Sequence, residues 1–301
     1  MDRCMTLAVP DGAVTIDPDL GTLQGLWFWD GRKWLDPLHS AAGPEGRARP
    51  RLPCPREGLQ GDPPCAGPRG AGDEAPWEVR EVVQSRREAL ARLSRGHLVQ
   101  GAAVEKELSL RRGEPILYQS HFLPAGQEAL TAAHHPVVRM AQGGRLSYSP
   151  KAHAPGNGGE GEPGRRGPLD LAGCPGRANQ EERFALVEAA GNPLGWTAVL
   201  RHAERDIVFV LRDPEVLPVT LLCCSRGGRM LSIGDGCAPE AGGKAARGGQ
   251  TVRHAIGALP CPAGWTHVTE ISIDQNTLCL KGDGQGAVWL PFDGRFFGGG
   301  A

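Results

Sequence analysis

Several things that usually betray a function are scarce in this sequence. Aromatic residues make up only 5% of its 301 positions, and 5 lysines stand against 28 arginines. No long apolar run exists: the best candidate, Leu217–Cys224, already contains Pro218 and Thr220 and falls far short of the ~20 residues that span a bilayer. No membrane partner is therefore expected. Net charge is also lacking, with 33 basic residues balanced by 34 acidic ones, so no strong field draws nucleic acid or an anionic surface. The opening MDRCMTLAVPDG breaks at Pro10 and Asp11 before an export segment could form. Nine cysteines without one CxxC pair point to thiols in a reducing cytoplasm rather than to a disulfide framework or a zinc site.

The usual catalytic signatures are missing too. GxxxxGK[ST], HExxH and GxSxG do not occur. Gly156-Asn-Gly158-Gly-Glu-Gly161 fits GxGxxG, but it follows Lys-Ala-His-Ala-Pro instead of a strand and leads into no helix, so it reads as a loop and not as a dinucleotide site.

What the chain has in abundance is turns: Gly and Pro together fill 70 positions. Between them run segments with the period of two expected of half-buried strands. Val104, Lys106, Leu108 and Leu110 alternate with Glu105, Glu107 and Ser109, and further strands are expected at Ile116–Leu123, Arg145–Ser149, Phe184–Glu188, Trp196–Leu200, Ile207–Leu211 and Leu217–Cys224. Thr269–Ile273, Thr277–Leu280 and Ala287–Phe292 form a closing β-meander. Only Ser85–Leu93 reads as helix, over a reach short enough to be a strand instead. The expectation is all-β, a large antiparallel sandwich or barrel in a single domain spanning 1–301. Residues 41–76 and 153–180 are too rich in Gly, Pro and Arg for core strands and are expected to be long surface loops.

The sharpest local feature is Ala-Ala-His134-His135-Pro136. Adjacent side chains on a strand face opposite ways, so one imidazole can point into a cleft while the other packs away from it. Histidine titrates near neutrality and can give or take a proton there. The remaining histidines, His121 and His254 among them, are scattered and read as surface or core residues.

The runs LYQSHFLPAGQEALTAAHHPVVRM, GWTAVLRHAERDIVFVLRDPEVLPVTLL, SRGGRMLSIGDGC, CPAGWTHVTEISID and VWLPFDG, in that order, resemble the galactose mutarotase-like (aldose 1-epimerase) family from about Leu59 to Phe297. The resemblance implies a supersandwich with an open sugar cleft on one sheet, a monosaccharide or sugar derivative as ligand, and no cofactor. It implies interconversion of anomers: a base takes the proton of the anomeric hydroxyl, an acid protonates the ring oxygen, and the ring opens and recloses. Through HHP the family's acid falls on His135, with His134 beside it. The family's glutamate falls on Gly234, leaving Asp235 next door as the candidate base, and a second family histidine falls on Arg69, ahead of Glu74 and Trp77. Arg69, Glu74, Trp77, His134 and Arg229 are the implied sugar contacts, with Trp77 and Trp196 as stacking aromatics. Two functions follow: an aldose 1-epimerase-like isomerase using His135 with Asp235 or Glu74, or a non-catalytic carbohydrate-binding or regulatory protein on the same scaffold. The arginine excess adds a sugar phosphate as a possible ligand. The oligomeric state is left open.

Overall fold

The computed structural model describes residues 4–39, 64–66, 76–95, 103–123, 132–152, 169–171, 182–225, 229–236 and 249–298. In chain order the strands are β1 (Met5–Val9), β2 (Gly12–Asp17), β3 (Thr22–Trp29), β4 (Trp34–Leu35), β5 (Pro64–Ala66), β6 (Glu78–Gln84), β7 (Glu88–Arg95) and β8 (Val104–Arg111). They continue with β9 (Ile116–Leu123), β10 (Ala132–His134), β11 (Val137–Arg139), β12 (Gly144–Tyr148), β13 (Lys151–Ala152), β14 (Leu169–Asp170), β15 (Glu182–Glu188) and β16 (Gly195–Arg201). The last are β17 (Asp206–Arg212), β18 (Val219–Cys224), β19 (Met230–Gly236), β20 (Gln250–Pro260), β21 (Val268–Asp274), β22 (Thr277–Gly282) and β23 (Ala287–Pro291). Among the described residues no helix is long and apolar enough to cross a membrane.

Two sheets make the sandwich. One has nine strands in the order β14-β12-β16-β17-β20-β9-β8-β7-β6; the other has seven, β13-β15-β18-β19-β10-β5 with β11 also on β19. Between them lies a shared core in which Leu222, Leu231 and Ile233 meet Val199, Val208, Val210 and Ile256. The sheet β1–β4 extends the same core over β7 and β8, placing Leu7, Val14 and Ile16 against Ala89, Ala91 and Leu108. A second core lies on the outer side of the nine-stranded sheet, where the meander β21–β23 lays Ile271, Leu278 and Leu280 over Phe209, Leu211 and Trp196.

This layering explains why β16 and β17 are buried at every position. Val199, Val208 and Val210 serve the first core, while Trp196, Ala198, Leu200, Ile207, Phe209 and Leu211 serve the second. A strand covered on both faces needs no polar alternation and reads as an unbroken apolar run. The hairpin they form is closed by Arg201, 2% exposed, whose Nε and Nη2 donate to the two carboxylate oxygens of Asp206 at 2.7 and 2.6 Å. Its Nη1 reaches the backbone oxygens of Asp36 and Arg139 at 2.9 and 2.8 Å, tying three segments together.

The expected helix at Ser85–Leu93 is instead the turn and second strand of the β6–β7 hairpin. Ser85 N donates to Glu88 O at 2.8 Å, and the Ser85 hydroxyl accepts from Arg87 N and Glu88 N, which fixes a turn where a helix would start. Ala89, Ala91 and Leu93 are then buried in alternation, the period of a strand. Short strands also fall inside the stretches read as loops: β5 pairs with β10 and β14 with β12, and Leu171 is buried. The rest of 41–76, up to 75, and most of 153–180 lie outside the described residues.

Candidate functional site

The double histidine sits where β10 ends and β11 begins, and both strands pair with β19. His134 is directly opposite Asp235 and Val137 opposite Ser232, so His135-Pro136 spans the gap across from Ile233 and Gly234. Proline breaks the ladder because it has no N–H, yet its carbonyl still accepts from Ile233 N at 2.9 Å. Being followed by proline also holds His135 extended.

Opposed residues of an antiparallel pair share a face. His134 and Asp235 therefore both enter the interior between the sheets, and His135 and Gly234 both lie on the outer face. The contact on that outer face is close. A Cβ built on Gly234 would stand 2.9 Å from His135 Nδ1, 3.1 Å from its Cε1 and 3.3 Å from Leu221 O. The imidazole thus rests on bare glycine backbone, and any side chain at 234 would have to displace it. Leu221 stands directly across from Gly234 and is 45% exposed; Cys223 stands across from Ser232. His135 itself is half-buried.

The interior side of the same strands is ionic. Asp235 is fully buried: Thr220 Oγ1 donates to its Oδ1 at 2.8 Å, Arg212 Nη1 lies 3.0 Å from the same oxygen, and His254 Nε2 lies 3.4 Å from Oδ2. Burial alone would raise the Asp235 pKa, but the Arg212 guanidinium, His254 and the Thr220 hydroxyl hold it below the usual carboxylate range. Arg212 also pairs through Nη2 with Glu188, which accepts from Lys151 Nζ, from Ser149 Oγ at 3.0 Å and from Asn192 Nδ2 at 2.9 Å. Burial and the neighbouring Arg212 pull the Lys151 ammonium down to about 7 in spite of Glu188. Beyond Asp235, the ring of His254 stacks parallel on His134 at 4.2 Å, His134 meets His121 at 4.7 Å, and Trp77 meets His121 edge-on at 6.3 Å. A row of polar groups thus closes one end of the apolar core.

The predicted site residues separate accordingly. His135 and Gly234 are brought together on the outer face. Asp235 is not across from His135: the β18–β19 register runs without a bulge from Leu221↔Gly234 to Thr220↔Asp235, so ordinary alternation turns its carboxylate inward into an ion pair. His134 is a core residue, 2% exposed. Trp77 is 5% exposed and packs its indole over Gly21, whose φ of +69° and lack of a Cβ permit the contact. Trp196, also 5% exposed, belongs to the second core. Neither tryptophan faces the ring of His135. Arg229 is exposed just before β19, and its carbonyl accepts from Met140 N at 2.8 Å. Arg69 and Glu74 lie outside the described residues. Sequence reasoning missed His254, His121, Arg212 and Glu188, because only the sheet order brings β9, β15, β17 and β20 to one end of the sandwich.

No protein-family model and no curated protein matches the sequence. Solved structures do match. A protein from Salmonella typhimurium provisionally assigned as a mutarotase superposes with a TM-score of 0.61 at 8% identity, over 85% of this chain and 90% of its own. The fold is that of the galactose mutarotase-like proteins. One provisionally assigned as an aldose 1-epimerase, from Escherichia coli K12, gives 0.58 at 11% identity over 85% and 98% of the two chains. A galactose mutarotase-like protein from Clostridium acetobutylicum gives 0.55 at 12% identity over 85% and 94%.

Proposed function

We propose that this chain binds a monosaccharide or sugar derivative on the outer face of the seven-stranded sheet, around His135, and that it does not accelerate anomerisation. Gly234 carries this reading. An anomerase needs a base and an acid on opposite sides of one hemiacetal, and the position to which the resemblance assigns the base has no side chain, with the imidazole of His135 resting in its place. The neighbouring carboxylate, Asp235, is turned inward and neutralised by Arg212. What the described residues place on the outer face is suited to holding a sugar. A half-buried imidazole can donate to one hydroxyl or accept from another, and an exposed leucine can lie against the ring's C–H groups.

Calorimetric titration with glucose, galactose and glucose 6-phosphate tests the binding half of the reading. Heat of binding with at least one of them, weakened in His135→Ala, is the expected result. A full signal in His135→Ala would move the ligand elsewhere, and no signal with any of the three would remove these ligands. Tighter binding of the phosphate than of glucose would select a sugar phosphate.

A further inference from the structure

The outer face of the seven-stranded sheet sorts its side chains by strand. Leu186, Leu222, Leu231 and Ile233 point into the core, so alternation sends Ala185, Leu221, Cys223, Ser232 and Gly234 to the outside. The ladder sets Gly234 across from Leu221 and Leu221 across from Ala185, and one step along Ser232 lies across from Cys223. From His135 the order across the strands is therefore imidazole, bare glycine, leucine, alanine.

Hydrogen-bonding capacity gathers on one side of this face. The His135 ring rests on β19 at Gly234, and the half-buried Ser232 follows about 7 Å along the same strand. On β18 and β15 the facing positions hold an isobutyl group, a thiol that is only a weak donor, and a methyl group. Leu221 is 45% exposed and Ala185 half-buried, so the apolar side is open. None of the outward side chains described on β15 and β18 is charged. One strand spacing, about 4.8 Å, separates Gly234 from Leu221, so a single pyranose ring reaches both sides.

An ordinary hexose carries hydroxyls around its whole rim. One laid over Leu221 and Ala185 gives up water and gains no partner from either side chain, which costs roughly five- to hundredfold in affinity. A face this open sits at the low end of that range. Granted the sugar site at His135, we infer that its ligand is a 6-deoxyhexose, with the hydroxyl-bearing edge on His135 and Ser232 and the methyl group over Leu221 and Ala185. The methyl group takes apolar surface of Leu221 out of water instead of stranding a hydroxyl there, which makes Leu221 the residue that chooses between the sugars.

Calorimetric titration with galactose, 6-deoxygalactose, glucose and 6-deoxyglucose tests this. In the wild type the 6-deoxy member of a pair is expected to bind at least about fivefold tighter than its parent. His135→Ala is expected to weaken both members. Leu221→Ser, at an exposed position and with unchanged circular dichroism and melting, is expected to abolish the preference. Equal affinities in the wild type, a preference for the parent sugar, or a preference that survives Leu221→Ser would overturn the inference and leave the sugar site at His135 standing. Binding of none of the four would overturn both.

Discussion

At the scale of single residues the decisive pair is Gly234 and Asp235. They are neighbours in sequence, yet the two-residue period of a strand puts one against the His135 imidazole and the other into a buried ion pair. Replacing Gly234 with Glu sets a carboxyl beside that imidazole, at the cost of moving the ring from its 2.9 Å approach. If the outer face holds a sugar, Gly234→Glu should accelerate anomerisation of that sugar by polarimetry, within the range of about 10²–10⁴ that a positioned base contributes. Lys151 gives a second prediction. Its folded pKa is about 7 against an ordinary 10.5, so between those values the unfolded chain binds a proton that the folded chain does not. Stability must then rise with pH across that window. The urea midpoint of the wild type should climb from pH 7 to roughly pH 10, and Lys151→Met should flatten the slope. A slope that survives the substitution would assign it to other groups.

At the scale of elements, the β16–β17 hairpin depends on one buried charge pair. Arg201→Met strands the Asp206 carboxylate in an interior where it is 1% exposed and frees the two carbonyls that Arg201 gathers. Loss of one member of a buried pair costs about 3–5 kcal/mol, which denaturant unfolding would read directly. Elements also show what the sequence revealed. The strands at 104–111, 116–123, 195–201 and 206–212 and the closing meander were legible, because their alternation or continuous apolar runs follow from burial on one face or on two. β20 was not, since its eleven residues mix Gly257, Pro260, Arg253 and His254 among short apolar stretches. The turn before β7 misled in the opposite direction: SRREALARL has helix-forming residues throughout, but Ser85 caps a hairpin and the packing of Ala89, Ala91 and Leu93 decides for strand.

At the scale of the whole molecule, three layers of sheet make two apolar cores, and a polar row from Lys151 to Trp77 closes one end of the first. The all-β architecture and its likeness to mutarotase-like structures were legible from turn density, strand spacing and the order of short motifs. The interior row was not. Its members come from β9, β10, β13, β15, β17, β19 and β20, and only pairing across the sheets makes them neighbours. The same pairing removed Asp235, His134, Trp77 and Trp196 from the face on which His135 lies. The fold is that of the galactose mutarotase-like proteins, while the surface around His135 holds an imidazole and, among the described residues of β19, no carboxylate beside it. The most direct test is the optical rotation of freshly dissolved α-glucose and α-galactose followed with and without the wild-type protein. Relaxation at the rate of buffer alone is the expected result. Acceleration by the wild type that disappears in His135→Ala would contradict it and establish a working acid–base pair.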